Sequence, residues 1–368
     1  MRTGVSIILL IMITMASQAQ NALEQDPNLE VVAEFGKSQP IGVSVSSDNR
    51  VFVSFPRREP YLMGLSEIVN GERVAYPNHS WNAKEGKAGS YFVNVQDLFV
   101  DNNDQLWVLD SKPASANSVF GKDGSEESKE GQFKLFQIDL KTNKIVNQFD
   151  FKDLDKSKSA LNDMRIDTDK KLAYLSDPGL ASIVILDLTD GSSRSVLANT
   201  EYTLAKDSVV LSYEGKDMRD ENGKPFKSNI NGIALTKDNQ YFYFKPINET
   251  HLYRIKTSYL ADKAITEAEL AKQVEDVWET VITHGLVADK LGNIYLTSSL
   301  DYSIKKLSPD GKLTTVVQDP RLIWPDSLGI GSDGYLYFSC AQVNRLPQWN
   351  GNLDMAEYPY RVYKVKIL

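Results

Sequence analysis

The 368-residue chain predicts an all-β fold: one six-bladed β-propeller of four-stranded antiparallel sheets around a central channel. Three observations carry that expectation. A single hairpin phrase recurs six times, at spacings of about 40 to 70 residues, the range of propeller blades carrying insertions. Each copy alternates apolar and polar residues on both sides of a Gly/Asp/Asn turn, which marks a half-buried hairpin. Helical periodicity is scarce, with one amphipathic stretch, Thr266–Thr280, expected as a helix decorating a blade.

The copies are "IGVSVSSDNRVFVSF" from Ile41, "QDLFVDNNDQLWVLD" from Gln96, "NDMRIDTDKKLAYLSD" from Asn162, "NGIALTKDNQYFYFKP" from Asn231, "HGLVADKLGNIYLTSS" from His284 and "DSLGIGSDGYLYFSC" from Asp326. Weaker strands such as "QFKLFQIDL", "SIVILDL", "HLYRIKT" and "SIKKLSP" follow, and read as outer strands of the same sheets. A lone sheet of this kind leaves both faces half exposed, whereas radial stacking buries each face against a neighbour and leaves short protected edges. Closure needs a strand from one terminus, and both "NLEVVAEF" and "YRVYKVKIL" are suitable. A pair of β-sandwiches is the competing architecture, and it leaves the sixfold recurrence unexplained.

Residues 1–19 have an early Arg, an apolar run from Val5 to about Met15 and small residues at Ser17 and Ala19, the pattern of a signal peptide. The run falls short of the ~20 residues of a membrane-spanning helix, though an uncleaved anchor is the other reading. Residues 20–368 are expected as one propeller domain, secreted or periplasmic. Net charge is −8, which argues against nucleic acid or an anionic membrane as partner. The single cysteine, Cys340, cannot form an internal disulfide and is expected as a buried strand residue.

Within each phrase the first residue should point toward the axis. Those residues are Ile41, Gln96, Asn162, Asn231, His284 and Asp326, five of them polar or ionisable. Turn chemistry alone also favours Asn and Asp there. The functional expectation is a convergent polar pocket for a small-molecule ligand, with Asp177 of "SDPG" as a further candidate. Asp110 closes its hairpin in the same way, and His79 sits in an aromatic loop that reads either as a ligand wall or as plain surface. Were the protein an enzyme, His284 and Asp326 would be its proton carriers, since imidazole titrates near neutrality and a carboxylate can orient it.

Other chemistries find little support. There is no Gly-x-Ser-x-Gly elbow and no phosphate loop, and the three histidines lie far apart. Lys122–Gly131 reads as a charged, solvated loop. Asn78 and Asn248 fit the glycosylation pattern, which chance also produces.

Several stretches in order resemble the major royal jelly protein/yellow family: "AYPNHSW" leading into "NVQDLFVDNNDQLWVLDS", then "LNDMRIDTDKKLAYLSDPG", "INGIALTKDNQYFYFKPINETHLYRIKTSYL" and "WPDSLGIGSDGYLYFSCAQVNRL". The resemblance implies a secreted six-bladed propeller whose cavity, in some members, binds biogenic amines, and in some is linked to dopachrome conversion. An amine- or catechol-like ligand is therefore expected, with a dopachrome-type tautomerase as the enzymatic alternative. Two departures stand out: the disulfide cysteines common in insect members are missing, and Ala341 stands where relatives often carry Asn.

The repeat is also similar to the senescence-marker-protein/gluconolactonase family, which implies a metal-dependent lactonase as another alternative. On that likeness Asn162, Asn231 and Asp326 are the candidate ligands of a divalent cation such as Ca²⁺. The expected N-terminal Glu is replaced by "QPIGVSV", and Ca²⁺ prefers six to eight oxygens. Nothing in the sequence makes a cofactor obligatory. A protein-interaction role for the outer surface is the residual reading, and no stretch marks a partner face.

Overall fold

The computed structural model describes residues 23–84, 86, 89–112 and 133–367. The signal peptide expected at 1–19 and the charged loop Lys122–Gly131 lie outside the described residues.

Six four-stranded antiparallel sheets form the blades. Blade 1 comprises Val43–Val45, Val51–Ser54, Leu65–Val69 and Glu72–Ala75, ordered from the axis outward. Blade 2 runs Val95–Val100, Gln105–Asp110, Lys134–Asp139, Lys144–Phe149, and blade 3 runs Met164–Asp167, Leu172–Asp177, Ser182–Asp187, Ser193–Val196. Blade 4 uses Ile230–Leu235, Tyr241–Pro246, His251–Lys256 and Glu275–Glu279. Leu286–Ala288, Ile294–Ser298, Ser303–Leu307 and Leu313–Gln318 make blade 5. Blade 6 takes Pro325–Ile330, Tyr335–Cys340 and Arg361–Lys366 from the C-terminal end, and Glu30–Glu34 as its outermost strand. Both terminal strands thus share one sheet, with Glu34 paired to Arg361 in register and bridged to it at 2.7 Å. The ring closes by hydrogen bonding rather than by a covalent link, consistent with the lone, buried Cys340 in the second strand.

The expected helix over Thr266–Thr280 is half right. Thr266 and Glu269 form a reciprocal capping box, and a helix runs Glu267–Ala271. Residues Glu275–Glu279 are instead the outer strand of blade 4, because the open edge of His251–Lys256 offers unpaired backbone that a short surface helix does not satisfy.

Packing follows the radial plan. Among the described residues, a separate apolar cluster fills each seam between neighbouring blades. Phe52 and Leu65 of blade 1 meet Leu98, Val108 and Phe136 of blade 2, and Tyr174 and Ile183 of blade 3 meet Phe242 and Phe244 of blade 4. Each such fully buried side chain contributes roughly 1.5–3 kcal/mol relative to exposure. A further cluster, holding Ile41, Tyr213, Phe226, Trp324, Val343 and Trp349, sits beside the axis, built from loops and the hairpin Ser212–Tyr213/Lys216–Asp217.

Near the axis the inner strands are irregular in a repeated way. Register shifts fall at Val95/Asp97, Ile230/Ile233 and Pro325/Leu328, so Gln96, Asn231 and Asp326 lie in bulges. A bulge re-aims its side chain, here off the sheet. Second-strand hydroxyls take up the freed backbone groups. Ser54 Oγ accepts from the Gly42 N–H at 2.7 Å and donates to the Gln96 carbonyl at 3.0 Å, and Thr297 Oγ1 accepts from the N–H groups of His284 and Gly285, each at 3.0 Å.

Candidate functional site

The six residues that open the repeats surround one cavity of about 420 Å³ at a mouth of the axial channel. That volume lies within the ~300–1,000 Å³ typical of small-molecule sites. Ile41 joins the apolar cluster that forms one wall, with Trp324 and Phe226 packed edge to face at 5.4 Å. The other five present polar groups. Gln96 Nε2 donates to Asn162 Oδ1 at 3.0 Å, and Asn162 Nδ2 donates to Asp163 Oδ1 at 2.8 Å. Asn231 Nδ2 makes one long bond, 3.4 Å, to Ser228 Oγ. Its capacity is therefore largely unspent.

Beneath this ring the channel is closed. Arg165 of blade 3 donates to the Leu286 carbonyl of blade 5 at 2.9 Å and pairs with Asp97 of blade 2 at 3.4 Å. Burial pushes the Asp97 carboxyl up against the pull of Arg165, and pushes Asp163 well up with help from the Asp97 charge. The floor thus holds two buried carboxyls beside one guanidinium, each shifted upward by burial.

His284 and Asp326 do not form a proton-relay pair. His284 is buried, its Nε2 lies 2.7 Å from Ser299 Oγ, and that hydroxyl lies 2.8 Å from Tyr213 Oη. Nδ1 has no partner. Asp326 Oδ2 instead accepts from Trp324 Nε1 at 3.2 Å, and the indole carries the imidazole on its face. Burial, with the Lys245 ammonium adding to it, pushes the imidazole down to about 3. Burial pushes the Asp326 carboxyl up to about 7. Only the second value suits acid–base work near neutrality.

Asp177 does not line the cavity. Its Oδ1 accepts from the N–H groups of Ala160, Gly179 and Leu180 at 2.8–3.1 Å, so the carboxylate holds two loops of the mouth together from below. Asp110 likewise serves backbone, accepting from Val93 and Asn94. Asn248 is buried and donates to the carbonyls of Val209 and Phe226, so the folded chain does not present it for glycosylation.

What sequence reasoning missed is the charge of the mouth. Among the described residues, Arg57, Arg58, Lys112, Lys158 and Lys227 all line the cavity, against one carboxyl, Asp326, in a protein of net charge −8. Lys158 pairs with Asp155 at 3.2 Å and Lys227 with Asp207, while Arg57 donates to the Lys84 carbonyl and Lys112 to the Lys156 carbonyl. Burial pushes the Lys112 ammonium down. These residues sit in loops outside the repeat, where no periodicity marks them.

The proposed metal ligands fare poorly as a set. Among the described residues no three His, Cys, Asp or Glu side chains come together as a metal site. Of the three candidates, Asn162 Oδ1 is already engaged by Gln96, and Asp326 leans toward its neutral form. Asn162, Asn231 and Asp326 together bring fewer side-chain oxygens than the six to eight ligands that Ca²⁺ takes, waters included.

Fold and site together define a single-chain six-bladed propeller with a blind axial cavity. The model of the family described as "Major royal jelly protein" matches residues 93–368, and the chain belongs to that family. It is 23% identical over 273 residues to major royal jelly protein 3 of Apis mellifera, covering 71% of this chain and 47% of that one. The chain spans about half the length of the honeybee relatives it matches.

Among solved structures it resembles a gluconolactonase from Xanthomonas campestris, with a TM-score of 0.53, 10% identity and coverage of 92% and 89% of the two chains. It also resembles a calcium-binding protein, regucalcin, from Agrobacterium tumefaciens, with a TM-score of 0.52, 14% identity and coverage of 92% and 93%. At such identities the likeness is one of fold. Among the described residues no helix is long and apolar enough to cross a membrane.

Proposed function

We propose that this is an exported binding propeller that holds a small aromatic, catechol-like molecule in its axial cavity. The observation that carries the reading is the meeting of Gln96, Asn162, Asn231 and Asp326 with a wall that contains the packed rings of Phe226 and Trp324 in one cavity. A flat ring suits the aromatic wall, and ring hydroxyls suit the amide groups opposite. The basic side chains at the mouth, two of them ion-paired, weigh against the amine that the family resemblance suggests, because among the described residues an ammonium would pass them to reach one carboxyl, Asp326. Export rests on the N-terminal pattern alone.

The test is a thermal-shift and calorimetric screen of catechols against matched phenethylamines. Catechols are expected to raise the melting temperature, and Asn162→Leu with Asn231→Leu to abolish the rise. An unchanged response in the double variant would remove the cavity from the reading.

A second reading, proton transfer on the bound ring by Asp326, is favoured by its carboxyl titrating near neutrality. His284 takes no proton in that version. A cation-assisted lactonase finds no support in the oxygen donors.

A further inference from the structure

A second cavity, of about 490 Å³, lies outside the axial site. It is bounded by Lys37–Gln39, the loop from Phe55 to Met63, the outer strand of blade 1 and the loop from Leu346 to Tyr360. Arg58 and Pro56 line both cavities and form their common wall.

Its distinguishing feature is Arg73. The guanidinium lies flat against Phe55, with its carbon 3.7 Å from the ring centroid, and Nη2 donates to the Met63 carbonyl at 3.1 Å. Nε and Nη1 are buried and have no hydrogen-bond partner among the described residues. No carboxylate among the described residues supplies the missing charge. The two acids lining this cavity make other contacts, Glu59 with Lys84 at 3.6 Å and Asp354 with the Tyr358 hydroxyl at 2.6 Å, and neither is bonded to Arg73. Burial accordingly pushes the Arg73 guanidinium down to about 10, with Tyr61 opposing the shift. It remains charged at neutral pH. A largely buried cation lacking a counter-charge carries a desolvation cost that no ion pair offsets. On the same cavity, Gln39 Nε2 is spent on the Ala341 carbonyl while Gln39 Oε1 is buried without a partner. Two residues of one cavity lining, Arg73 and Gln39, thus keep two guanidinium nitrogens and one amide oxygen unpartnered just beneath its surface.

We infer that this cavity is an oxyanion site, in which Arg73 receives the carboxylate or phosphate of a small hydroxylated acid and Gln39 Oε1 accepts from its hydroxyl. Lys37, over the Tyr358 ring at 5.1 Å, adds positive charge at the rim. The anion supplies the charge that the chain does not, and the guanidinium, already held by Phe55 and Met63, loses little freedom on binding. This site is separate from the catechol site and does not depend on it.

The experiment is calorimetric titration of the full chain with inorganic phosphate and, separately, citrate, at constant ionic strength in chloride. Saturable binding of one or both is expected in the wild type and in Asn231→Leu, and the tighter titrant identifies the anion class. Arg73→Met should weaken it by about ten-fold or more, the loss a charge-assisted hydrogen bond carries. Anion-free Arg73→Met should unfold at no lower urea concentration than the wild type, since an uncompensated charge has been removed. A readout without mutation guards against misfolding: the Arg73 Nε resonance should move with the same saturation curve. No saturable binding by either anion, equal binding by Arg73→Met, or a stationary Nε resonance would each overturn the inference.

Discussion

The imidazole of His284 lies on the indole of Trp324 with ring centroids 3.8 Å apart and planes 18° from parallel. The contact ties the opening residue of blade 5 to the residue just ahead of blade 6, and it excludes water from the imidazole. Its consequence is a histidine that stays neutral through the physiological range. Nuclear magnetic resonance of the ring nitrogens should show no titration between pH 8 and pH 5. In the unfolded chain the same group protonates near 6.5. The unfolded state therefore binds the extra proton first, and the stability due to neutral His284 is lost as pH falls from about 6.5 toward 3, at up to ~1.4 kcal/mol per unit. A ring titrating near 6.5 in the native protein would refute this account of the stacked pair.

Asp326 works in the opposite direction. Its folded value of about 7 lies above the usual carboxylate value, so the native state holds a proton that the unfolded state releases. Acidification from pH 7 toward 4 thus stabilises the fold through this residue, offsetting the His284 loss over much of the same window. Asp326→Asn removes the gain. Its stability relative to the wild type should be greatest at pH 8 and should fall by up to ~1.4 kcal/mol per unit between pH 7 and 4. Urea midpoints across that range measure it, and a pH-independent difference would show that the carboxyl is ionised throughout.

Much of the fold was legible because the information is local. Each blade's inner hairpin states its alternation and its turn within sixteen or so residues, and six copies of one phrase leave few architectures that bury them all. Val277 and Trp278 were misread for the complementary reason. The capping box at Thr266 and Glu269 is written locally, but the strand after it forms because the edge of His251–Lys256, some twenty residues earlier, lacks a partner. The site divides along the same line. Gln96, Asn162, Asn231, His284 and Asp326 share a repeat position at the start of the inner strand, so the radial symmetry of the blades brings them together, three of them through a bulge. Arg57, Lys112 and Lys158 come from loops of unequal length that hold no common register, and Arg73 lies on an outer strand where a basic residue is ordinary. Asp177 was visible as a motif, yet its direction depends on the backbone it caps.

The closeness of the blades at the axis is itself open to test. Gly285 follows His284, and a Cβ there would meet the Asp326 carbonyl oxygen at 2.1 Å and its carbon at 2.9 Å. Both are backbone atoms of the next inner strand, which cannot swing aside as a side chain does. At Gly232, one blade earlier, the nearest atom is the His284 carbonyl oxygen at 3.1 Å, a contact that a shift of a few tenths of an ångström relieves. The two substitutions to Ala should therefore rank clearly. Gly285→Ala is expected to cost about 3 kcal/mol or more, as overpacking against fixed backbone does, and Gly232→Ala about 1 kcal/mol or less. Because the strain at Gly285 pushes on Asp326, that variant should also lose ligand-induced stabilisation while Gly232→Ala keeps most of it. Urea denaturation with and without catechol measures both effects. Equal midpoints for the two variants would mean that the inner strands of blades 5 and 6 leave a methyl group at Gly285 more room than 2.1 Å, and the ring of polar side chains would be correspondingly looser.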